Sequence, residues 1–281
     1  MRCSASCFRG RGADMLDGFE DTPLIERLKW LLAILLVVFL AAPSFIVIPM
    51  SFSSSDFLAF PPPSLSLRWY QYFLDSITWT QAARASLTAG TLTTLVSVPI
   101  GIFAAYGATQ LSQRWRLLVS GLIVLPAVIP SILIAIGLFF VLARIGMVGT
   151  MTGLVLGHVA LAIPVVFVVM SAAFSQFDFS QERAARSLGA RWHQAWLRVV
   201  LPQVSGPIVA SGLLAFVTSL DEVVVAMFVS GGNNATLPKV MFTALRDKID
   251  PTIAVVSTVL LVVATLAVIV ILRKGVAALK A

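Results

Sequence analysis

The sequence predicts an all-α integral membrane protein with six transmembrane helices, and three observations carry that prediction. Of its 281 residues, 58% are hydrophobic and only 12% charged, with a mean hydropathy of +0.95; a soluble domain carries about 25% charged residues. The apolar residues fall into six runs, and about 20 helical residues suffice to cross a hydrocarbon core. The basic residues are also unevenly shared. Following the chain back and forth, Lys and Arg number five in the N-terminal lead, two in the turn after the second run, four in the long polar interruption and three in the tail, against six on the opposite side. This is the positive-inside bias, and it predicts both termini in the cytoplasm.

The first run, about Trp30 to Met50, follows Arg27 and Lys29 and is expected to remain as an anchor, since no secretory cleavage site precedes it. Met15 opens a more ordinary lead-in than MRCSASCFRGRGA, so the opening residues are expected to precede the physiological start. Pro43 and Pro49 are expected to kink this span, as membrane helices tolerate. Ser51 to about Ala82 is polar, aromatic and proline-rich, and reads as an external segment with a short amphipathic helix around Trp69 to Asp75. The second run, about Ala85 to Ala108, is dense in Gly, Ala, Ser and Thr, which let helices approach closely and hydrogen-bond across a bundle. Ser112 to Arg116 is a short basic turn.

The third run, about Leu117 to Leu142, is interrupted by Pro126 and Pro130. Carbonyls freed by proline need a neighbour or a cavity, so both prolines are candidate pathway or gate positions. Arg144 to Thr150 is a tight turn into the fourth run, about Met151 to Ala173. There Gly153 and Gly157 have the spacing of a packing face, and His158 reads as a satisfied core histidine, with contact to a transport route as the alternative. The fifth run, about Gly206 to Val229, holds Asp221 and Glu222. Carboxylates within a span are costly unless paired, wetted or protonated, and adjacent helical positions face different ways. Two readings stand for this pair: a cap or helix-end interaction, or attraction of a cation near the external mouth. Ser230 to Asp250 forms a second external loop with a Gly231-Gly232-Asn233-Asn234 turn, and the sixth run spans Pro251 to Leu272. The organisation expected is a cytoplasmic lead at 1–28, a six-span body at 29–274 and a cytoplasmic tail at 275–281.

The central polar interruption is SQERAARSLGARWHQAWLRVVLP, from Ser180 to Pro202. Ser180 is placed to cap a helix with Glu182 in its first turn; Ala184, Ala185 and Leu188 share a face; Gly189 supplies a bend. A second helical pattern puts Trp192, Ala195, Trp196, Val199 and Val200 on an apolar side, and Leu201-Pro202 is expected to stop it. Two short helices with a glycine corner would then lie across the end of the bundle.

Several functions are excluded or disfavoured. The net charge of +7 sits on residues flanking spans, so it marks topology and not nucleic acid; RAARSLGARWHQAW, as a helix-turn-helix, has no room for the rest of such a domain. Cys3 and Cys7, far from His158 and His193, make neither a disulfide framework nor a metal site. No glycine-rich loop ends in Gly-Lys-Ser or Gly-Lys-Thr, so the chain is not expected to be an enzyme that hydrolyses ATP by itself.

The Ser180–Pro202 stretch resembles the coupling loop of permease subunits of bacterial ATP-binding-cassette importers, with pattern E-A-A, three residues, G, nine residues, I, one residue, L-P. Ala184, Ala185, Gly189, Val199, Leu201 and Pro202 match; Arg183 stands where the family has glutamate, with Glu182 one place earlier. SLDEVVVAMFVSGGNNATLPKVMF and SLTAGTLTTLVSVPIGIFAAYG are similar to the second permease of spermidine/putrescine importers. The resemblance implies a type I importer permease fold with Glu182, Arg183, Ala184, Ala185, Gly189, Val199, Leu201 and Pro202 docking on an ATPase. It also implies a homodimeric ATPase that uses ATP and magnesium, a second homologous permease, a periplasmic solute-binding protein and a bacterial inner-membrane location. The solute implied is a polyamine; opines, amino-acid-like compounds, ferric ion and inorganic anions are the alternatives. A secondary transporter would show an inverted repeat and membrane-embedded coupling charges, and no such repeat is visible.

Overall fold

In the computed structural model, residues 23–247 and 250–278 are described, and every regular element among them is helical. The expectations for Cys3, Cys7, Met15, Lys248 and Lys280 fall outside the described residues.

Helix α1 (Pro23–Ser51) keeps both internal prolines within one continuous helix and leans on α12 (Thr252–Ala278). Its side chains from Trp30 to Leu40 are exposed, as suits a lipid-facing helix, because hydrocarbon is as apolar as leucine. The predicted amphipathic helix is α2 (Arg68–Asp75). Trp69 pins it by donating its indole N–H to the Ser55 carbonyl at 2.9 Å, beneath the Arg68 guanidinium 4.5 Å from the ring centre.

Helix α3 (Ile77–Thr109) starts earlier than expected, and α6 (Met151–Gln176) runs along it. With α9 (Ser205–Asp221) they form the centre of the bundle. Small residues set the spacing, as the second run predicted. A β-carbon on Gly101 would meet Val166 Cγ1 at 2.5 Å, and one on Gly90 would meet Phe216 at 2.8 Å. A β-carbon on Gly157 would meet Val225 at 2.8 Å, whereas one on Gly153 would run into the Met147 carbonyl of its own incoming turn, so only one of that pair serves a helix–helix seam. His158 is buried, with Nδ1 2.6 Å from Ser219 Oγ across the α6–α9 contact, while its Nε2 has no hydrogen-bond partner among the described residues; the core placement holds, but only one of the two ring nitrogens is satisfied.

Two runs are broken, the third where its two prolines predicted a break and the fifth where none was expected. The third is α4 (Gln113–Val128) and α5 (Ser131–Arg144), which meet at 97°. Ile129 and Pro130 are both extended there, at ψ 136° and 127°, because proline disfavours the α conformation of the residue before it. The fifth is interrupted at Glu222, and α10 (Val224–Val229) follows. Among the described residues, three helices are long and apolar enough to span on their own, two bent pairs do so jointly, and α12 supplies a further apolar helix.

Candidate functional site

At one end of the bundle lie α7 (Ser180–Ser187) and α8 (Trp192–Gln203). Ser180 does not cap α7: the cap position is Phe179, and Ser180 is the first helical residue; the Asp178 carboxylate accepts from the Ser180 hydroxyl at 2.5 Å and the Ser180 amide at 2.9 Å. Those hydrogen bonds hold the Asp178 carboxyl below its ordinary value. The helix ends on Gly189, at φ 92°. The Gly189 amide bonds to the Arg186 carbonyl and the Ala190 amide to the Ala185 carbonyl, each at 3.1 Å, the paired pattern that a left-handed residue makes possible. Sequence reasoning placed this corner correctly. Leu188, beside it, is 90% exposed.

Helix α8 departs from expectation. Pro202 does not stop it; the chain takes a wide π turn over Trp196–Val200 and continues to Gln203. The Leu201 amide reaches back five residues to the Trp196 carbonyl, and that register shift accommodates the amide that Pro202 lacks. The bend comes after Gln203, with α8 and α9 at 75°. Trp196 and Val200 are buried, Val199 and Leu201 are half-buried, and Pro202 is exposed.

The residue that joins this loop to the bundle is Tyr106, near the end of α3. Its hydroxyl lies 3.0 and 3.1 Å from the two carboxylate oxygens of Glu182 and donates to them. It accepts from the Trp192 indole N–H at 3.3 Å. Both loop helices therefore meet at one phenol oxygen. Around it pack Phe174, Phe179, Trp192 and Trp196, with ring centres within 6.3 Å of the Tyr106 ring. Glu182 is 5% exposed, with Arg186 Nη1 3.9 Å away. Arg183 and Ala184 are exposed and Ala185 half-buried. The usual rule that a buried Tyr hydroxyl finds a partner was the signal available for Tyr106, but it names no partner.

Asp221 and Glu222 lie at the far end of α9, roughly 24 Å along its axis from Ser205. They have the separate explanations that adjacent positions require. Glu222 is extended and its Oε1 accepts from the Val225 amide at 2.9 Å, opening α10, which is the helix-end reading. Asp221 is exposed and borders a cavity of about 310 Å³ between α9 and α12, walled by Phe216, Leu220, Leu260 and Ala264. Pro126 and Pro130 do not border it. Near this end Lys239, on α11 (Leu237–Asp247), donates its ammonium to the carbonyls of Ser230 at 2.5 Å and Met227 at 3.2 Å; burial pushes its pKa down.

The described helices form an apolar bundle of the kind that crosses a membrane, with a two-helix polar loop at one end and Asp221 beside an apolar cavity at the other. Residues 97–279 match the model of the binding-protein-dependent transport system inner membrane component, and the chain belongs to that family. It is 32% identical over 247 residues to the putrescine transport system permease protein PotI of Escherichia coli K12, covering 84% of this chain and 87% of PotI. It is 28% identical over 231 residues to the spermidine/putrescine transport system permease protein PotC of the same organism, covering 82% and 87%. The fold matches a chain of a bacterial ABC transporter that imports the acidic polysaccharide alginate, with a TM-score of 0.65, 17% identity and coverage of 90% and 97%. The type I importer permease fold is therefore the fold of this chain.

Proposed function

We propose that this chain is one of two permeases of an ATP-driven importer that moves a polyamine, such as putrescine or spermidine, into the cell. The observation that supports the solute class is the identity to two polyamine permeases over more than four-fifths of the chain. Ser180–Pro202 seats on an ATPase dimer that uses ATP and magnesium, an external binding protein delivers the solute, and both termini are cytoplasmic. Closure of the ATPase dimer pulls α7 and α8, and the pull enters the bundle at Tyr106 on α3 and at the α8–α9 bend. Asp221, charged and beside an apolar wall, suits a solute that is aliphatic between cationic ends.

In proteoliposomes holding the full transporter with saturating binding protein, Asp221→Asn should lower putrescine uptake about tenfold, the equivalent of about 1.4 kcal/mol of lost attraction, with ATPase content unchanged. Glu222→Gln keeps an oxygen for the Val225 amide and should assemble and transport nearly normally. Equal uptake by D221N would remove the electrostatic role; no putrescine uptake by the unmodified transporter would overturn the solute class. Orientation has its own check: reporter fusions after Arg186 should read cytoplasmic and after Asn234 external, and an external signal at Arg186 would reverse the topology.

A further inference from the structure

Between the end of α7 and the start of α8 lies an open cleft of about 590 Å³, bordered by Arg183, Arg186, Ser187, Ala190, Arg191 and Trp192. Three guanidinium groups face it and no carboxylate borders it. The loop acid that would balance them, Glu182, is turned into the bundle by Tyr106 and is 5% exposed. Ser187 is not free to serve an incoming group as a donor, because its hydroxyl is given to the Arg183 carbonyl at 3.0 Å. Next in sequence to Ser187, on the glycine corner, Leu188 stands 90% exposed. The surface offered is thus an apolar tip beside a row of planar cations, and such cations form paired hydrogen bonds with carboxylates.

We infer that the ATPase groove receiving this loop is acidic, presenting carboxylates to Arg183 and Arg191 on either side of an apolar spot for Leu188. This rests on the reading that Ser180–Pro202 seats on an ATPase, and it settles which chemistry does the seating. A glutamate one place later, as in the family pattern, would stand at the exposed Arg183 position; here the acid is used internally and the outward position is cationic, so the partner supplies the acid. Arg186 is partly engaged with Glu182 at 3.9 Å, and Arg183 lies in the field of the exposed Asp178 carboxylate without an ion pair to it, so Arg183 and Arg191 are the probes.

The test uses the whole transporter, purified through a tag on this chain and placed in nanodiscs of phosphatidylcholine alone or with phosphatidylglycerol. ATPase retained per permease is measured by subunit stoichiometry and by magnesium-ATP hydrolysis, in about 0.1 M and about 1 M salt, where the screening length falls from about 10 Å to about 3 Å. Retention of the second permease reports that each variant is folded. The unmodified complex should lose ATPase at high salt. R183E/R191E should retain at least tenfold less at low salt, in both lipids, and R183Q/R191Q should fall between. If A185W loses the ATPase while R183E/R191E keeps it, the loop docks through its small-residue face and the acidic groove is refuted. If the arginine effect appears only with phosphatidylglycerol, the cleft is a lipid headgroup site and the inference is likewise overturned. If A185W and R183E/R191E both retain the ATPase, the docking reading itself falls, and the inference falls with it.

Discussion

Gly101→Ala should destabilise the bundle, whereas Gly107→Ala, six residues on in the same helix, should leave it unchanged or make it more stable. Alanine gains about 0.8 to 1.0 kcal/mol over glycine in a helix interior such as Gly101, and less at Gly107 in the last turn of α3. At Gly107 nothing lies within 4 Å of an added β-carbon, so the gain stands alone. At Gly101 that carbon would sit 2.5 Å from Val166 Cγ1, 2.7 Å from Val166 Cβ and 3.3 Å from the Phe167 amide nitrogen. Carbon atoms prefer about 3.5 to 4.0 Å, so α3 and α6 must part by about an ångström. Val166 Cβ is fixed to the backbone and has no rotamer that moves it away. Overpacking of this kind costs about 1 to 3 kcal/mol, which exceeds the propensity gain. G101L, with three more heavy atoms at the same seam, should prevent assembly. Thermal unfolding of the purified transporter measures both alanine variants; shifts of the same sign at Gly101 and Gly107 would show that glycine does not limit the α3–α6 approach.

The membrane class and the order of the runs were legible because apolarity over a span and charge asymmetry at its ends are properties of composition. Direction was not. Pro126 and Pro130 announced a break, but a 97° bend depends on what α4 and α5 each pack against. Pro202 was read as a stop because proline removes a donor; a π turn restores the register, and nothing in the local sequence marks one. Ser180 was read as the cap, but the backbone already turns at Phe179, so Ser180 is the first helical residue and Asp178 meets its amide. Asp221 and Glu222 looked like two charges inside one span, while in the fold Glu222 is the residue that ends one helix and opens the next. The glycine corner was legible because few residues other than glycine sit readily at positive φ. The hub was not, since Tyr106 and Glu182 are 76 residues apart and periodicity carries no information about which side chains meet.

That hub carries the largest functional effect expected here. Tyr106→Phe keeps the aromatic packing and removes one oxygen, and with it the hydroxyl donor to Glu182 and the acceptor for Trp192 Nε1. Glu182 is then a buried carboxylate whose nearest cation stands 3.9 Å away. Leaving a buried group unpaired costs about 1 to 3 kcal/mol, and more when it is charged, so the loop should detach from α3 in a large share of molecules. The expected result is a transporter that still hydrolyses ATP but imports at least tenfold less per ATP, because movement of α7 no longer reaches the span. Glu182→Gln retains an acceptor oxygen for the tyrosine and should be milder. Removing both groups, as Y106F with E182L, should restore part of the stability lost in Y106F, since no buried carboxylate is then left unpaired, although Trp192 Nε1 still lacks its acceptor; it should not restore coupling. The restored stability with persistent uncoupling separates a mechanical link from a merely stabilising contact. Uptake and hydrolysis measured together in proteoliposomes decide the matter, and Y106F with an unchanged ratio of solute imported to ATP consumed would remove Tyr106 from the coupling path.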